Sequence, residues 1–519
     1  MRRLLSLIVV CVLLALPAAA QMDQHHHSGG ETAEKLGTVS FPVSCSPPAQ
    51  ATFTRAVALL HSFWYEESEK AFRQTAAIDP QCGMAWWGVA MSNFHPVWPS
   101  PYSPAELARG TEAAQKASAV GAKTARERGY IDAIATFYRG PDPRGYEAAM
   151  ERLSSQFPDD DEASIFHGLM MINHGMAQPK DKTYAFQKKA ADRFNRLLDK
   201  HPDHPGLAHY LIHSFDYPAL APLALAAARQ YAKIAPSAPH ALHMPSHIFV
   251  RLGMWTETID SNLASARVAG EHVSALHPGS MSFDALHADD YLAYAWLQRG
   301  EDDKVRRLVE QVAAIKSVDT ENFAAYYAIA AIPARYALER RRWDEAQALT
   351  VVPGLPWDRY GYAEGLTHFA RAVGAARTGD LPRAREALER LQQIRQRLLD
   401  AKAVYWADQT DIQLRAANGW IARSEHRDDE ALKLMGSAAD LEDAMDKSPV
   451  TPGAILPARE MYGDLLLELN QPARALEAYE RSLRDAPNRL NGLAGAARAA
   501  HLTGDRAKEQ AYYKRLAGL

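Results

Sequence analysis

Residues 461–504 read MYGDLLLELNQPARALEAYERSLRDAPNRLNGLAGAARAAHLTG, and this stretch decides the fold. Gly463 lies in an apolar, helix-forming run that Asn470 interrupts. Ala475 and the aromatic Tyr479 follow in a second run, which Pro487 ends. Asn supplies a turn conformation and Pro cannot continue a helix, so Asn470 and Pro487 punctuate two helices. The turn recurs at Gly504, 34 residues after Asn470. Leu, Ala, Arg and Glu fill both runs at helical spacing, whereas alternation of apolar and polar residues is nearly absent along the whole chain.

The order of small residue, turn, small residue, aromatic and proline, repeated at 34 residues, resembles the tetratricopeptide-repeat (TPR) family. The same frame reads at lower fidelity elsewhere: Tyr65, Phe72 and Pro80 hold their places, as do Trp255 and Ser265 after Gly253. Gly300, Trp343 with Ala346, and Gly379 with Ala384 mark further hairpin turns. The resemblance covers most of Ala51–Leu519 and is to a divergent, exported, bacterial-type member. It implies an all-α, right-handed superhelical solenoid of antiparallel helix hairpins over residues 51–519, with insertions near 96–104 and 268–281. One hairpin cannot bury its apolar face alone, so neighbours stack into an array. The family pattern places the second, fifth, ninth, twelfth and thirteenth repeat positions in a concave groove, and implies a peptide, a protein or a small ligand bound there.

The N-terminus carries Arg2 and Arg3, an apolar run from Leu4 to Leu16, then Pro17-Ala18-Ala19-Ala20, the order of a secretory signal peptide cleaved after Ala20. Residues 21–50 read as a flexible leader and entry segment, and the product as periplasmic or secreted. Val10 stands where lipid attachment at Cys11 needs a small residue, and no later run approaches the ~18 apolar residues of a membrane span. Losing two arginines moves the formal charge from −4 to −6, which gives no basis for nucleic-acid binding. Cys45 and Cys82 are the cysteines that remain, and an oxidising compartment makes a disulfide between them the default reading.

Histidines recur at the repeat period. Pro202 and Pro236 are 34 residues apart. In the frame they set, His209 and His213 take the fifth and ninth positions of one first helix, and His243 and His247 take the same positions of the next. Each pair is spaced i, i+4, so both rings share one helical face. His240 falls at the second position of the second of these helices, and His287 and Asp290 at the second and fifth of the one after. Imidazole suits Zn, Cu, Fe or Ni, so the candidate metal ligands are His209, His213, His243 and His247 with His240, His287 and Asp290 at their margin. An HxxxH lacking the glutamate of HExxH disfavours a zinc peptidase of that class. His167 and His368 read as packing residues. His61 is remote in sequence from the patch. The His25-His26-His27 tract and the aromatic group Trp86, Trp87, Phe94, His95 and Trp98 carry weaker signals, and Trp98 and Tyr102 could cover a groove end.

Two function classes stand side by side. One is an exported TPR protein that binds a ligand or partner in its groove, with a His-rich transition-metal site. The other is a metal-dependent enzyme using the same cluster, with Tyr210, Tyr217 or Asp289 for proton transfer. No catalytic motif of an established class selects between them.

Overall fold

The frame set by Gly463, Asn470 and Tyr479 governs how the hairpins form. Asn470 turns the chain at φ 54°, a left-handed conformation that Asn tolerates. A side chain on Gly463 would come within 2.8 Å of the Tyr479 ring, so the aromatic of the second helix seats on bare backbone of the first. The computed structural model describes residues 34–97 and 102–519. The expected signal peptide, its cleavage site, the His25-His26-His27 tract and Trp98 lie outside the described residues. Residues 35–519 form one contact unit.

The architecture is all-α, a TPR-like solenoid of antiparallel hairpins. Among the described residues the only β feature is an isolated bridge between Met281 and Val318. Each helix packs on its chain neighbours, and the first helices of successive hairpins also pack on one another. That inner row runs through Phe283–Gln298, Phe323–Glu339, Gly361–Thr378, Val404–Ser424, Ala458–Glu468 and Leu490–Thr503. Its last member returns to touch its first. In the N-terminal half, Pro47–His61 likewise meets Pro205–Phe215.

The return contact is held by polar groups. The Arg489 Nε donates to Glu460 at 2.6 Å and its Nη2 to Glu339 at 2.5 Å, with all three side chains buried. Asn491 Nδ2 donates to Glu339 at 2.7 Å, and the Leu490 N–H donates to the Gln298 side chain at 2.9 Å. Trp255 Nε1 donates to the Asn488 carbonyl at 2.9 Å. These bonds fix where the inner row closes.

Between the helices Asp428–Asp443 and Ala458–Glu468, residues 444–457 form a strap across the inner faces. The Asp446 N–H donates to the Pro179 carbonyl at 2.9 Å and the Ser448 N–H to the Tyr405 hydroxyl at 2.7 Å. Tyr327 donates to Thr451 at 3.0 Å, and Arg335 Nη1 to the Ala454 carbonyl at 2.7 Å. Val450 and Ile455 of the strap itself are buried. A loop of this length in a packed domain is commonly functional.

Cys45 and Cys82 form the disulfide, with Cα atoms 5.1 Å apart. It ties the entry segment to the cap of the helix Gly83–Met91, and closing a loop of 37 residues stabilises by roughly 3–4 kcal/mol in the chain-entropy account. The first helix begins at Pro47, and the segment before it is pinned: the Lys35 N–H donates to Ser237 Oγ and the Thr38 N–H to the Asp203 carbonyl, both at 2.9 Å. Two sequence expectations are corrected. Residues 268–276, read as part of an insertion, continue the helix Trp255–Leu276, because Gly270 faces open space and no proline falls before Pro278. Tyr102 packs its ring on Phe137 at 5.5 Å, within the N-terminal core and not over a groove end.

Arg489→Met leaves two buried carboxylates without their cation, so it should destabilise the chain by about 3–5 kcal/mol. Urea unfolding of the variant against the parent measures this, and an unchanged midpoint would show that the closing contact contributes little.

Candidate metal centre

The rings of His209, His213, His240, His243, His247 and His287 meet in the interior. Pro205–Phe215 carries the first pair, Pro239–His243 the second, and Pro245–Leu252 and Phe283–Gln298 carry His247 and His287. Pro245 has no N–H, so the helix breaks at Met244. His243 and His247 nonetheless keep one face, their Nε2 atoms 3.0 Å apart. All six side chains are buried, none more than 6% exposed. They were expected to line an open groove. The strap and the close approach of the helices enclose them instead.

The six nitrogens sort into two triplets, one of His209, His213 and His240, the other of His243, His247 and His287. Within each, one ligand atom per residue lies within 4.8 Å of the others. The sequence frame grouped four histidines with two at the margin; the structure makes all six equal members of two adjoining sets. Ring centroids of His213 and His247 are 6.0 Å apart across the boundary, and those of His240 and His243 are 5.9 Å apart. Asp290 is not among them. It turns to Arg335, whose Nη2 lies 3.3 Å from Oδ1, and burial pushes its carboxyl up to about 6 despite that cation.

Second partners fix the proton positions. Asn262 gives its amide N–H to the Thr258 carbonyl at 2.7 Å, so its Oδ1 accepts from His243 Nδ1 at 2.6 Å. His247 Nδ1 donates to Asp216 at 3.0 Å, and His209 Nδ1 to the His61 carbonyl at 2.7 Å. Burial pushes the affinity for a second proton down in all six rings, to about 3 for His209. His209, His243 and His247 are therefore neutral Nδ1–H tautomers with bare Nε2 atoms. The 3.0 Å contact between His243 and His247 sets one lone pair against another. His209 and His213 bring their Nε2 atoms to 3.1 Å in the other triplet.

Four residues that sequence reasoning missed complete the surroundings. Asp216, just past its helix, accepts from Arg251 Nε at 2.8 Å and lies 3.3 Å from Lys447 of the strap. Burial opposes its charge, yet Lys447 and Arg251 hold it well below the usual carboxylate range. Tyr291 donates to the Pro449 carbonyl at 3.1 Å, with its oxygen 3.3 Å from His247 Nε2. Asp216 at a helix end and Tyr291, one turn past His287 on the same helix, were readable locally; Lys447 reaches the site by long-range packing.

Other candidates fall outside. Tyr210 binds His61 Nδ1 at 3.0 Å, Tyr217 accepts from Gln187 at 3.0 Å, and Asp289 faces Gln311 at 3.4 Å with burial pushing it up to about 7. His167 and His368 are buried away from the centre, against Ser154 and Glu364. His61, remote in sequence, adjoins the first triplet, because the helix that carries it packs on Pro205–Phe215.

Six histidines held neutral in the folded chain and protonated when unfolded make stability depend on pH. The sign follows from lowered folded values: the unfolded state binds more protons below ~6.5, so stability is complete above that pH and falls as pH drops through it. The slope is about 1.4 kcal/mol per pH unit for each histidine that stays neutral. Urea midpoints of the metal-free chain should fall steeply between pH 7 and pH 5; a flat profile would mean the rings are protonated in place.

No protein-family model matches the chain, and no curated protein matches it. Among solved structures, the human IFIT1 dimer with PPP-AAAA is 14% identical over 83% of this chain and 88% of that one, with a TM-score of 0.38. A monomeric IFIT1 mutant with Gppp-AAAA is 11% identical over 91% and 95%, with a TM-score of 0.33. At that identity and score the likeness says nothing of a ligand, and the site is read from its own geometry.

Proposed function

We propose that this chain is an exported helical-repeat protein whose interior histidines hold two transition-metal ions side by side, at a centre that accepts a further ligand. The observation that carries this reading is the contact between His243 and His247. Both Nδ1 protons are committed to Asn262 and Asp216, so two bare nitrogens face each other at 3.0 Å. Such a pair repels unless a cation sits between them. Two nitrogens each ~2.0–2.1 Å from one ion are separated by about this distance. The acceptors behind the rings are of the kind that orient metal-bound histidines and raise their basicity.

An all-imidazole donor set favours Zn, Cu, Fe or Ni over Ca or Mg, which need oxygen cages. The N-terminal pattern of charge, apolar run and small residues supports export, as does the Cys45–Cys82 bond, at home in an oxidising compartment. No described helix is long and apolar enough to cross a membrane. The metal-enzyme reading also has a specific observation behind it. Three protein nitrogens per ion leave a coordination position open, as catalytic sites do and closed structural sites do not. His213 borders a cavity from which that position could be reached.

The test is metal analysis of the untagged chain after chelation and dialysis against zinc or copper(II). The expected content is about two ions per chain, with His213→Ala and His247→Ala each losing about one and His368→Ala losing none. Helical circular dichroism checks that each variant folds. A folded parent that retains no metal at neutral pH, or a His213→Ala/His247→Ala double variant that retains both ions, would end this reading.

A further inference from the structure

A cavity of about 620 Å³ lies beside the first triplet, bordered by His213, Asp216 and Lys447. Its size is that of a small-molecule site rather than a peptide groove. Six aromatic residues contribute to the wall: Tyr217, Phe323, Tyr360, Tyr362, Tyr405 and Trp406. Several brace one another, with ring centroids of Tyr362 and Trp406 4.4 Å apart and those of Phe323 and Trp406 4.8 Å apart. Hydroxyls on this wall are already engaged: Tyr405 donates to the Asp446 carbonyl at 3.2 Å and Tyr217 accepts from Gln187 at 3.0 Å. The wall therefore offers ring surface more than hydrogen bonds. Among the polar groups of the lining, Lys447 and Asp216 meet beside His213.

We propose that this cavity binds a small planar aromatic molecule bearing an ionisable oxygen, its ring against Trp406 and Tyr362 and its oxygen directed at Lys447 and the ion held by the His213 triplet. Ring faces favour a flat, polarisable body over a branched aliphatic one of equal volume. The Lys447 ammonium can donate to an anionic oxygen, and an ion bound by three nitrogens can take that oxygen as its fourth ligand. An aromatic without such an oxygen would satisfy the wall and leave the polar end unmatched. The ring half of this assignment is independent of metal; the oxygen half rests on the metal-centre reading.

Equilibrium dialysis with 4-nitrocatechol tests it, because the visible band of this probe shifts when its oxygens ligate a metal. The metal-loaded chain should take up the probe saturably with a shifted band. The dimethyl ether, 1,2-dimethoxy-4-nitrobenzene, should bind about tenfold more weakly. Trp406→Ala should weaken the probe about tenfold while metal content stays the same. Ala403→Phe, which fills the cavity from a half-exposed position on its wall, should do likewise, and it keeps the test open if Trp406→Ala fails to fold. No saturable uptake, equal uptake of the ether, or uptake unaffected by a folded wall variant would overturn the proposal. If metal analysis finds no ion, the metal-centre reading fails separately. Dialysis of the metal-free chain then decides the cavity: uptake lost in the wall variants upholds the aromatic site, and no uptake ends it.

Discussion

Two lone pairs facing each other inside the protein are the constraint on which the centre depends. Buried polar atoms need partners, and the ring nitrogens of His243 and His247 have them on one side only. On the other side each finds the other. With the pair empty, the contact costs energy; with a cation between them, the same contact becomes a crosslink. Because the two triplets draw on four helices between Pro205 and Gln298, an ion in each would add a crosslink to the packing and the hydrogen bonds that already join them. Metal affinity and folding stability are then linked, since an unfolded chain has no preformed site.

The charges around the histidines serve the same arrangement. Asp216 accepts from His247 Nδ1 most strongly when ionised, and an isolated carboxylate at this depth would take a proton instead. Arg251 reaches it from the helix of His247 itself, donating from Nε to Oδ1 and from Nη2 to the backbone carbonyl, both at 2.8 Å. Lys447 arrives from the strap, and burial with the nearby Arg251 pushes its ammonium down to about 8 while Asp216 supports it. The strap thus does more than fill the interior. It carries a cation that keeps Asp216 charged, and so keeps the His247 proton away from the nitrogen that faces His243.

What was legible in the sequence is what repeats. His209, His213, His243 and His247 stand out because two i, i+4 pairs recur at the period of the helix hairpins, and a frame set by prolines and glycines assigns them one face. The hairpins were legible for the same reason, since Gly463, Asn470 and Tyr479 report local geometry. The division into two triplets was not, because it depends on the break at Met244 and on how far neighbouring helices rotate. Asp290 shows the limit of the frame: the right face put it near the histidines, but Arg335, 45 residues on, draws its carboxylate away. Lys447 and Tyr291 have no repeat signature at all. Tyr291 follows His287 by one turn on the same helix, whereas Lys447 reaches the site because residues 444–457 cross the inner faces, and a long connection between two helices carries no sequence mark of where it will lie.

The group formed by His61, Glu162 and His204 looks like a third candidate, since its ligand atoms also lie within 4.8 Å of one another, but its protons argue otherwise. Glu162 lies 3.0 Å from the Nε2 of each histidine, with its carboxylate held well below the usual range, against the effect of burial, by the two rings. An ionised carboxylate can only accept, so both Nε2 atoms carry hydrogen and point it inward. His61 Nδ1 then accepts from the Tyr210 hydroxyl. Here the inner positions hold protons, whereas between His243 and His247 they hold lone pairs. The carboxylate bridge is a structural junction, and Gly206 shows how tight it is: a Cβ there would stand 2.6 Å from the His61 ring. That approach brings the His61 carbonyl to His209 Nδ1 and so fixes which nitrogen of His209 faces the first triplet. A junction at the first hairpin thereby sets the tautomer of a histidine some 150 residues away.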